Sequence, residues 1–283
     1  MRYLITGANG MLGRDLQSAL DDREVTALGR ADLDVTDAAA VAAAVQGHQV
    51  VINCAAYTKV DDAESHEDDA YAVNAVGARN LAIAANGAGA RLVQLSTDYV
   101  FNGSATEPYA ESTPYDPISA YGRTKAAGER FALDANPGAT YVVRTAWLYG
   151  AHGPNFAATM LAIAQSRESW SVVDDQIGQP TWTGDLARQV LALLDADAPR
   201  GIYHGTNSGR TSWYDFARAV LAENGLDPDR ITPTDSSAFV RPAPRPAFSV
   251  LGHEAWESAD LSPMRDWREA LTEATARGVF ARD

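Results

Sequence analysis

Cysteine is nearly absent: Cys54 is the only one in 283 residues. An internal disulfide and a cysteine-built metal cage are therefore excluded. Lysine is almost as scarce. Of 23 Lys and Arg residues, only Lys59 and Lys125 are lysine. Long apolar runs are also missing. None could span a bilayer, and the opening apolar run is too short for a secretory signal, so a cytoplasmic location is expected. Positive charge is in deficit, with a formal net charge of −14. Neither nucleic acid nor an anionic membrane is expected as a partner of such a surface. Any anionic ligand must be held locally, by arginines and helix N-termini. Apolar residues, at 46%, suffice for one large α/β domain or for two domains sharing a cleft.

The start of the chain carries the first motif. Arg2–Thr6 reads as a short apolar strand, and an amphipathic helix runs to about Leu20. Between them Gly7, Gly10 and Gly13 recur every three residues. In a strand–turn–helix context, Gly7 permits the tight turn. Gly10 lets a pyrophosphate approach the backbone, and Gly13 lets helix and strand pack closely. The bland reading is an ordinary strand-to-helix turn. Glu24–Leu28 reads as the second strand and ends in Gly29-Arg30. An acidic residue there would bind a ribose 2′-hydroxyl, whereas an arginine suits a 2′-phosphate. NADPH is the expected cofactor, with NADH left open; a solvated turn arginine is the alternative. Asp34 and Val35 are placed to border an adenine, and Thr36 is expected to cap a helix over Asp37–Val45.

Val50–Ala56 is a third strand with a small-residue exit, in which Cys54 reads as core. The acidic stretch Tyr57–Asp69 reads as a solvated helix start, followed by a helix over Ala70–Asn86 with Asn74 on its path. Arg91–Leu95 is a fourth strand leading to Ser96-Thr97-Asp98-Tyr99. Polar groups at the carboxyl end of a parallel strand sit where such sheets bind ligands. Thr97 can hydrogen-bond a substrate carbonyl there, or simply cap the strand end.

The central motif is Tyr121-Gly122-Arg123-Thr124-Lys125. Residues four apart on a helix share a face. A free tyrosine titrates near pH ~10, and a neighbouring ammonium favours the phenolate and pulls that value down. The pair thus reads as a proton donor to a carbonyl. A chain that uses arginine almost everywhere keeps a lysine here, where a compact point charge differs from a forked guanidinium.

With these motifs in this order, the sequence resembles the extended short-chain dehydrogenase/reductase family, and within it the reductases of dTDP-4-keto-6-deoxyhexoses. The similarity is carried by Gly7–Gly13, Asn53–Thr58 with Val60-Asp61, Ser96–Phe101 and Tyr121–Lys125. It continues through Arg144–Tyr149, Asn155-Phe156, Asp174-Asp175-Gln176 leading to Pro180-Thr181, and Arg245-Pro246 with Ser249 and Leu251. The resemblance implies a Rossmann-type doubly wound parallel sheet with a smaller C-terminal substrate-binding domain. Residues 1–150, rejoined by about 183–206, would bind the dinucleotide; 151–182 and 207–283 would mainly bind substrate.

It further implies NADPH-dependent reduction of a sugar C4 ketone, dTDP-4-dehydro-L-rhamnose first among the candidates. Tyr121 would be the general acid, Lys125 would lower its pKa and hold the nicotinamide ribose, and Thr97 would hold the keto oxygen. Gly10, Met11 and Leu12 would border the pyrophosphate, and Ala56, Tyr57 and Thr58 would line the cofactor. Asp98, Trp147 and Asn155 fall to the substrate. An indole at Trp147 suits the apolar 6-deoxy face of a hexose. Some members dimerise through magnesium. Asp15 matches one ligand, but Thr183-Gly184-Asp185 lacks the matching acidic pair, so no metal is expected, and a monomer or weak homodimer is.

In the second half, Thr140–Arg144 is a strand. Helices are expected over Asn155–Gln165, Gly184–Leu194, from a Ser212 cap to Asn224, and over Asp266–Arg277. Asp174–Thr181 reads as a loop. The Arg241–Pro246 stretch cannot be helical. Its Arg245 can clamp a diphosphate, or lie on a solvated loop. Three rivals stay open. A dehydratase is disfavoured because Tyr99 stands where those enzymes carry an acid. Reductases of other ketosugars, such as dihydrostreptose synthases, are not separated. A non-catalytic subunit like that of methionine adenosyltransferase shares the fold.

Overall fold

The computed structural model describes residues 1–281. The first half runs β1 (Arg2–Thr6), α1 (Met11–Ala19), β2 (Glu24–Leu28), α2 (Ala38–Val45) and β3 (Val50–Asn53). Then come α3 (Glu67–Tyr71), a π-helical stretch (Ala72–Gly77), α4 (Ala78–Ala88), β4 (Arg91–Thr97), α5 (Ala120–Ala135) and β5 (Thr140–Thr145). The second half has β6 (Leu148–Tyr149), α6 (Phe156–Ala164), β7 (Trp170–Val173), β8 (Ile177–Gly178), β9 (Thr181–Trp182) and α7 (Thr183–Asp195). It continues with β10 (Gly201–His204), β11 (Thr211–Ser212), α8 (Trp213–Glu223), β12 (Ile231–Thr234), α9 (Glu254–Ser258) and α10 (Trp267–Ala276).

Six strands form one parallel sheet in the order β10-β5-β4-β3-β1-β2. The chain winds outward from β1 to β2, then returns to β1's other side at β3. A crevice opens beyond the carboxyl ends of the strands at that reversal. Alternate strand residues feed two cores, as a period of two requires. Tyr3, Ile5, Ile52 and Val143 pack with Leu16 of α1 and Leu186 and Val190 of α7. Leu4, Val51 and Leu92 pack with Val41 of α2 and Leu81 and Ala85 of α4. Both faces are covered, which is why these strands read as unbroken apolar runs. A further core of Tyr149, Met160, Trp170, Trp182, Phe216, Val220, Trp267 and Leu271 belongs to the second half. Among the described residues, no helix is long and apolar enough to cross a membrane.

Several boundaries differ from expectation. Asp37, not Thr36, caps α2, accepting from Ala39 N at 2.9 Å and Ala40 N at 3.1 Å; the Thr36 hydroxyl is bound to Asp34. Asp37 Oδ1 takes both N–H groups, while the Thr36 hydroxyl is turned back onto Asp34 Oδ1. The fourth strand continues to Thr97. The expected Ala70–Asn86 helix is interrupted by the π-helical turn, and the Asp174–Thr181 loop contains β8 and the start of β9. The acidic Tyr57–Asp69 stretch does open a helix, α3, with Asp68 and Asp69 exposed, but three of its carboxylates are bound. Glu64 accepts from Ala120 N at 2.8 Å, Glu67 pairs with Arg123, and Asp61 meets Arg245 at 3.0 Å. Its carboxylates fasten α5 and the late proline-rich loop.

Candidate active site

Tyr121 and Lys125 stand one turn apart near the start of α5, whose N-cap Ser119 accepts from Gly122 N at 3.1 Å. Thr97 closes β4. Tyr121 and Thr97, both picked from sequence, line the same cleft at the carboxyl edge of the sheet. Burial pushes the phenol above its ordinary range, Asp98 adds to that, and Thr97 opposes it. The expected depression by Lys125 is not what this arrangement gives. Lys125 Nζ donates to Leu95 O at 2.6 Å instead, and burial lowers it to about 8, against the pull of Glu129 and Cys54. A phenol held neutral is still the right form for giving a proton away.

Asp98 lies beneath this pair, 3% exposed. Its Oδ1 lies 2.9 Å from Thr97 Oγ1, while Oδ2 is buried without a hydrogen-bond partner. Burial raises the carboxyl to about 6, with the Ser249 and Thr97 hydroxyls and two backbone N–H groups favouring the charged form. Tyr99, also raised by burial, sets its ring edge-on to Tyr121 at 5.6 Å.

Two supports were not assigned a role from sequence. Asn74, inside the π-helical turn, accepts from Tyr57 N at 2.8 Å and donates to Tyr57 O at 3.1 Å and Thr124 Oγ1 at 3.0 Å. It ties the loop after β3 to α5. The available signal was a poor helix former in an alanine-rich helix, together with the functional bias of π-turns. The second is the fully buried pair Glu129–Arg144, with Nη2–Oε2 at 2.8 Å and Nε–Oε2 at 3.0 Å. Ser96 also donates to Glu129. The pair fixes the end of β4 against α5 and β5, and it places a negative charge one turn beyond Lys125.

One cleft of about 1200 Å³ joins these groups to the glycine loop. Gly7, Gly10, Met11, Leu12, Gly13, Arg30, Asp34, Val35, Ala56, Tyr57 and Thr58, all named from sequence, line it together with Thr97, Asp98, Tyr121, Lys125 and Trp147. Gly7 has φ +66, and a Cβ there would lie 2.5 Å from Ala55 N. A Cβ on Gly13 would lie 2.7 Å from Gly7 O. Only glycine fits these two positions, and the result is a bare backbone cradle at the N-terminus of α1. Arg30 is exposed and, among the described residues, makes no hydrogen bond or ion pair. Asp34 spends its carboxylate on Thr36 N and Oγ1, which lowers its pKa. Cys54 borders the cleft as well as the core, and burial pushes its thiol up to about 12.

At the far end stands Trp147, with φ 47. A bulky residue in the left-handed region carries strain that its surroundings must over-determine. Its indole stacks on Trp213 at 3.5 Å and 10°, and the backbone at Gly178 closes on it so tightly that a Cβ would lie 2.5 Å from the ring. Trp213 was missed in the sequence, where Ser212 attracted notice only as a cap; nothing local links it to Trp147.

Two expected substrate residues point elsewhere. Arg245 faces Asp61 and Ala243 O and does not line the cleft. An opposite charge at 3.0 Å outcompetes a solvated loop position. Asn155 also lies off the cleft: it caps α6, accepting from Ala158 N at 2.9 Å and donating to Gly150 O at 3.0 Å. Asp185, in the segment compared with a magnesium site, is bonded to Arg188, Arg265 and Asn207. The described residues contain no cluster of three or more His, Cys, Asp or Glu side chains suited to a metal.

Comparison with known proteins follows this geometry. The family model described as the RmlD substrate binding domain matches residues 1–279. A dTDP-4-dehydrorhamnose reductase of Streptomyces griseus is 54% identical, covering 96% of this chain and 92% of that protein. A dTDP-4-keto-6-deoxy-D-glucose reductase of Streptomyces niveus is 50% identical, with 96% of each covered. The crystal structure of a Bacillus anthracis dTDP-4-dehydrorhamnose reductase in complex with NADP superposes with a TM-score of 0.94 at 39% identity, covering 98% of this chain and 99% of that one. The glycine cradle, the Tyr121 and Lys125 pair in the same cleft and this end-to-end similarity together place the chain in the RmlD family, that of the dTDP-4-dehydrorhamnose reductases.

Proposed function

We propose that the protein reduces the C4 ketone of dTDP-4-dehydro-L-rhamnose to dTDP-L-rhamnose with NADPH. The observation that carries this reading is one cleft that joins a glycine cradle, the Tyr121, Lys125 and Thr97 side chains, and a pair of stacked indoles.

The residues present fit the cofactor. The bare backbone around Gly7, Gly10 and Gly13 would take the pyrophosphate at the α1 N-terminus. The unpaired Arg30 would take the 2′-phosphate, with Asp34 and Val35 beside the adenine. Ala56, Tyr57, Thr58 and Lys125 would hold the nicotinamide half. When bound, the nicotinamide supplies the hydride that C4 accepts.

The remaining chemistry belongs to the chain. Tyr121 donates its proton to the C4 oxygen; kept neutral by burial and by Asp98, the phenol remains an acid at the working pH. Thr97 holds the same oxygen. Tyr99 and the two indoles line the same cleft and supply its apolar wall. The second-half core presents Trp147 and Trp213 to the sugar nucleotide and acts as the substrate-binding unit. We take the working form to be a monomer or weak homodimer in the cytoplasm.

The test is NADPH consumption by the purified protein on dTDP-4-dehydro-L-rhamnose generated in the same vessel, with the product identified by mass and NMR. Formation of dTDP-L-rhamnose is expected. Binding of NADPH without its oxidation would overturn the reading. A second reading, reduction of dTDP-4-keto-6-deoxy-D-glucose, is favoured by the name of the Streptomyces niveus relative.

A further inference from the structure

Tyr57 and Tyr121 line the cleft from different segments, the loop after β3 and the first turn of α5. A 3₁₀ turn over Asp62–Glu64 is bonded to both segments. Asp62 accepts the Tyr57 phenol O–H on Oδ2, and His66 Nδ1 stands 3.3 Å from Asp62 Oδ1. Glu64 Oε1 accepts from Ala120 N at 2.8 Å, 56 positions away in the chain. Ala63, between the two acids, is buried with Ala70 and Ala120, and both tyrosines pack against that cluster. Asn74 makes a second tie between the same segments, through Tyr57 N, Tyr57 O and Thr124 Oγ1.

The first N–H groups of a helix find no partner inside it. In α5 the Ser119 hydroxyl takes Gly122 N, and Ala120 N goes to Glu64. A carboxylate on a backbone N–H makes a charge-assisted bond, and its negative charge suits a helix N-terminus. Ala120 directly precedes Tyr121, so this bond fixes the backbone from which the phenol projects. Tyr57 is held at two ends, its backbone by Asn74 and its hydroxyl by Asp62, so its ring cannot swing without breaking the second bond. Neither acid lines the cleft; each acts through the tyrosine segment it holds. We propose that Asp62 and Glu64 are positioning residues with separate targets. Glu64 sets Tyr121 for proton transfer to the sugar oxygen. Asp62 sets the Tyr57 ring as a wall for the nicotinamide half of NADPH.

This inference rests on the reductase reading, and the experiment separates the two. It measures kcat on the dTDP-ketosugar at saturating NADPH, and the NADPH dissociation constant by fluorescence, for wild type and variants at both positions. Glu64→Ala should lower kcat by roughly 10²-fold, the cost of a small misplacement of a reacting group, and leave NADPH binding within about twofold. Glu64→Gln keeps an acceptor oxygen for Ala120 N and should restore kcat to within about threefold of wild type. Asp62→Ala should do the opposite, weakening NADPH about 5–10-fold with kcat within about twofold. Tyr57→Phe removes the same bond from its other end. It should weaken NADPH by a similar factor, and the double variant should be no worse than either single one. Glutamine as slow as alanine at position 64, or additive effects of Asp62→Ala and Tyr57→Phe, would overturn the proposal while the reductase reading stood. Loss of kcat and NADPH binding together in both alanine variants would also overturn it, since that marks a general loosening. A wild type that binds NADPH but reduces no dTDP-ketosugar would end both readings. If Glu64→Ala does not fold, Glu64→Gln with the Asp62 and Tyr57 variants decides: a slow glutamine variant or additivity contradicts the proposal.

Discussion

The indoles of Trp147 and Trp213 lie 3.5 Å apart and within 10° of parallel, although 66 positions in the chain (213 − 147) separate them. Trp147 follows β5 and Trp213 opens α8, so the stack joins the end of β5 to the second-half core. Both rings line the cleft. Gly178 closes on the Trp147 ring, whose other neighbour is Trp213.

Trp213→Ala should therefore behave as a substrate-site variant. Loss of an aromatic contact and its area corresponds to about 1–3 kcal/mol, so KM for the dTDP-ketosugar should rise roughly 5–150-fold. NADPH affinity should stay near wild type. Steady-state kinetics with each substrate varied checks this, and a variant that loses NADPH binding instead would place Trp213 in the cofactor site.

Arg30 supplies the cleft's free cation beside the glycine cradle. Arg30→Ala should weaken NADPH by about 1.5–3 kcal/mol, the range of a charge-bearing hydrogen bond, and barely affect NADH. The ratio of the two Michaelis constants is the readout, and an unmoved ratio would contradict the assignment.

Arg144 and Glu129 are both fully buried. Arg144→Leu leaves an uncompensated carboxylate and should cost about 3–5 kcal/mol of stability. Replacing both partners, as Arg144→Leu with Glu129→Leu, should recover much of that loss. Denaturant melts of the three proteins decide it; an additive double variant would mean that the two residues act independently.

Tyr121→Phe removes the phenolic hydrogen while keeping the ring against Tyr99. Turnover should fall by about 10²–10⁴-fold with NADPH affinity retained. Turnover like that of wild type would remove Tyr121 from the chemistry.

Much of this site was legible because its signals are local. Gly7, Gly10 and Gly13 stand within one turn of a strand, and Tyr121 and Lys125 share one helical face. Thr97 was placed by the rule that ligands gather at strand ends. What stayed hidden depends on distant partners: the Trp147–Trp213 stack needs the second-half core. The pairing of Arg245 with Asp61 was hidden for the same reason, since the two are remote in sequence. The effect of Lys125 on Tyr121 failed on direction: helical spacing brings the residues to one face, but Leu95 O captures the ammonium.

The most direct test of the account compares kcat/KM, with NADPH, for dTDP-4-dehydro-L-rhamnose and dTDP-4-keto-6-deoxy-D-glucose on the same preparation. The account predicts faster reduction of the first, giving dTDP-L-rhamnose. A clear preference for the second, or no NADPH oxidation with either, would contradict it.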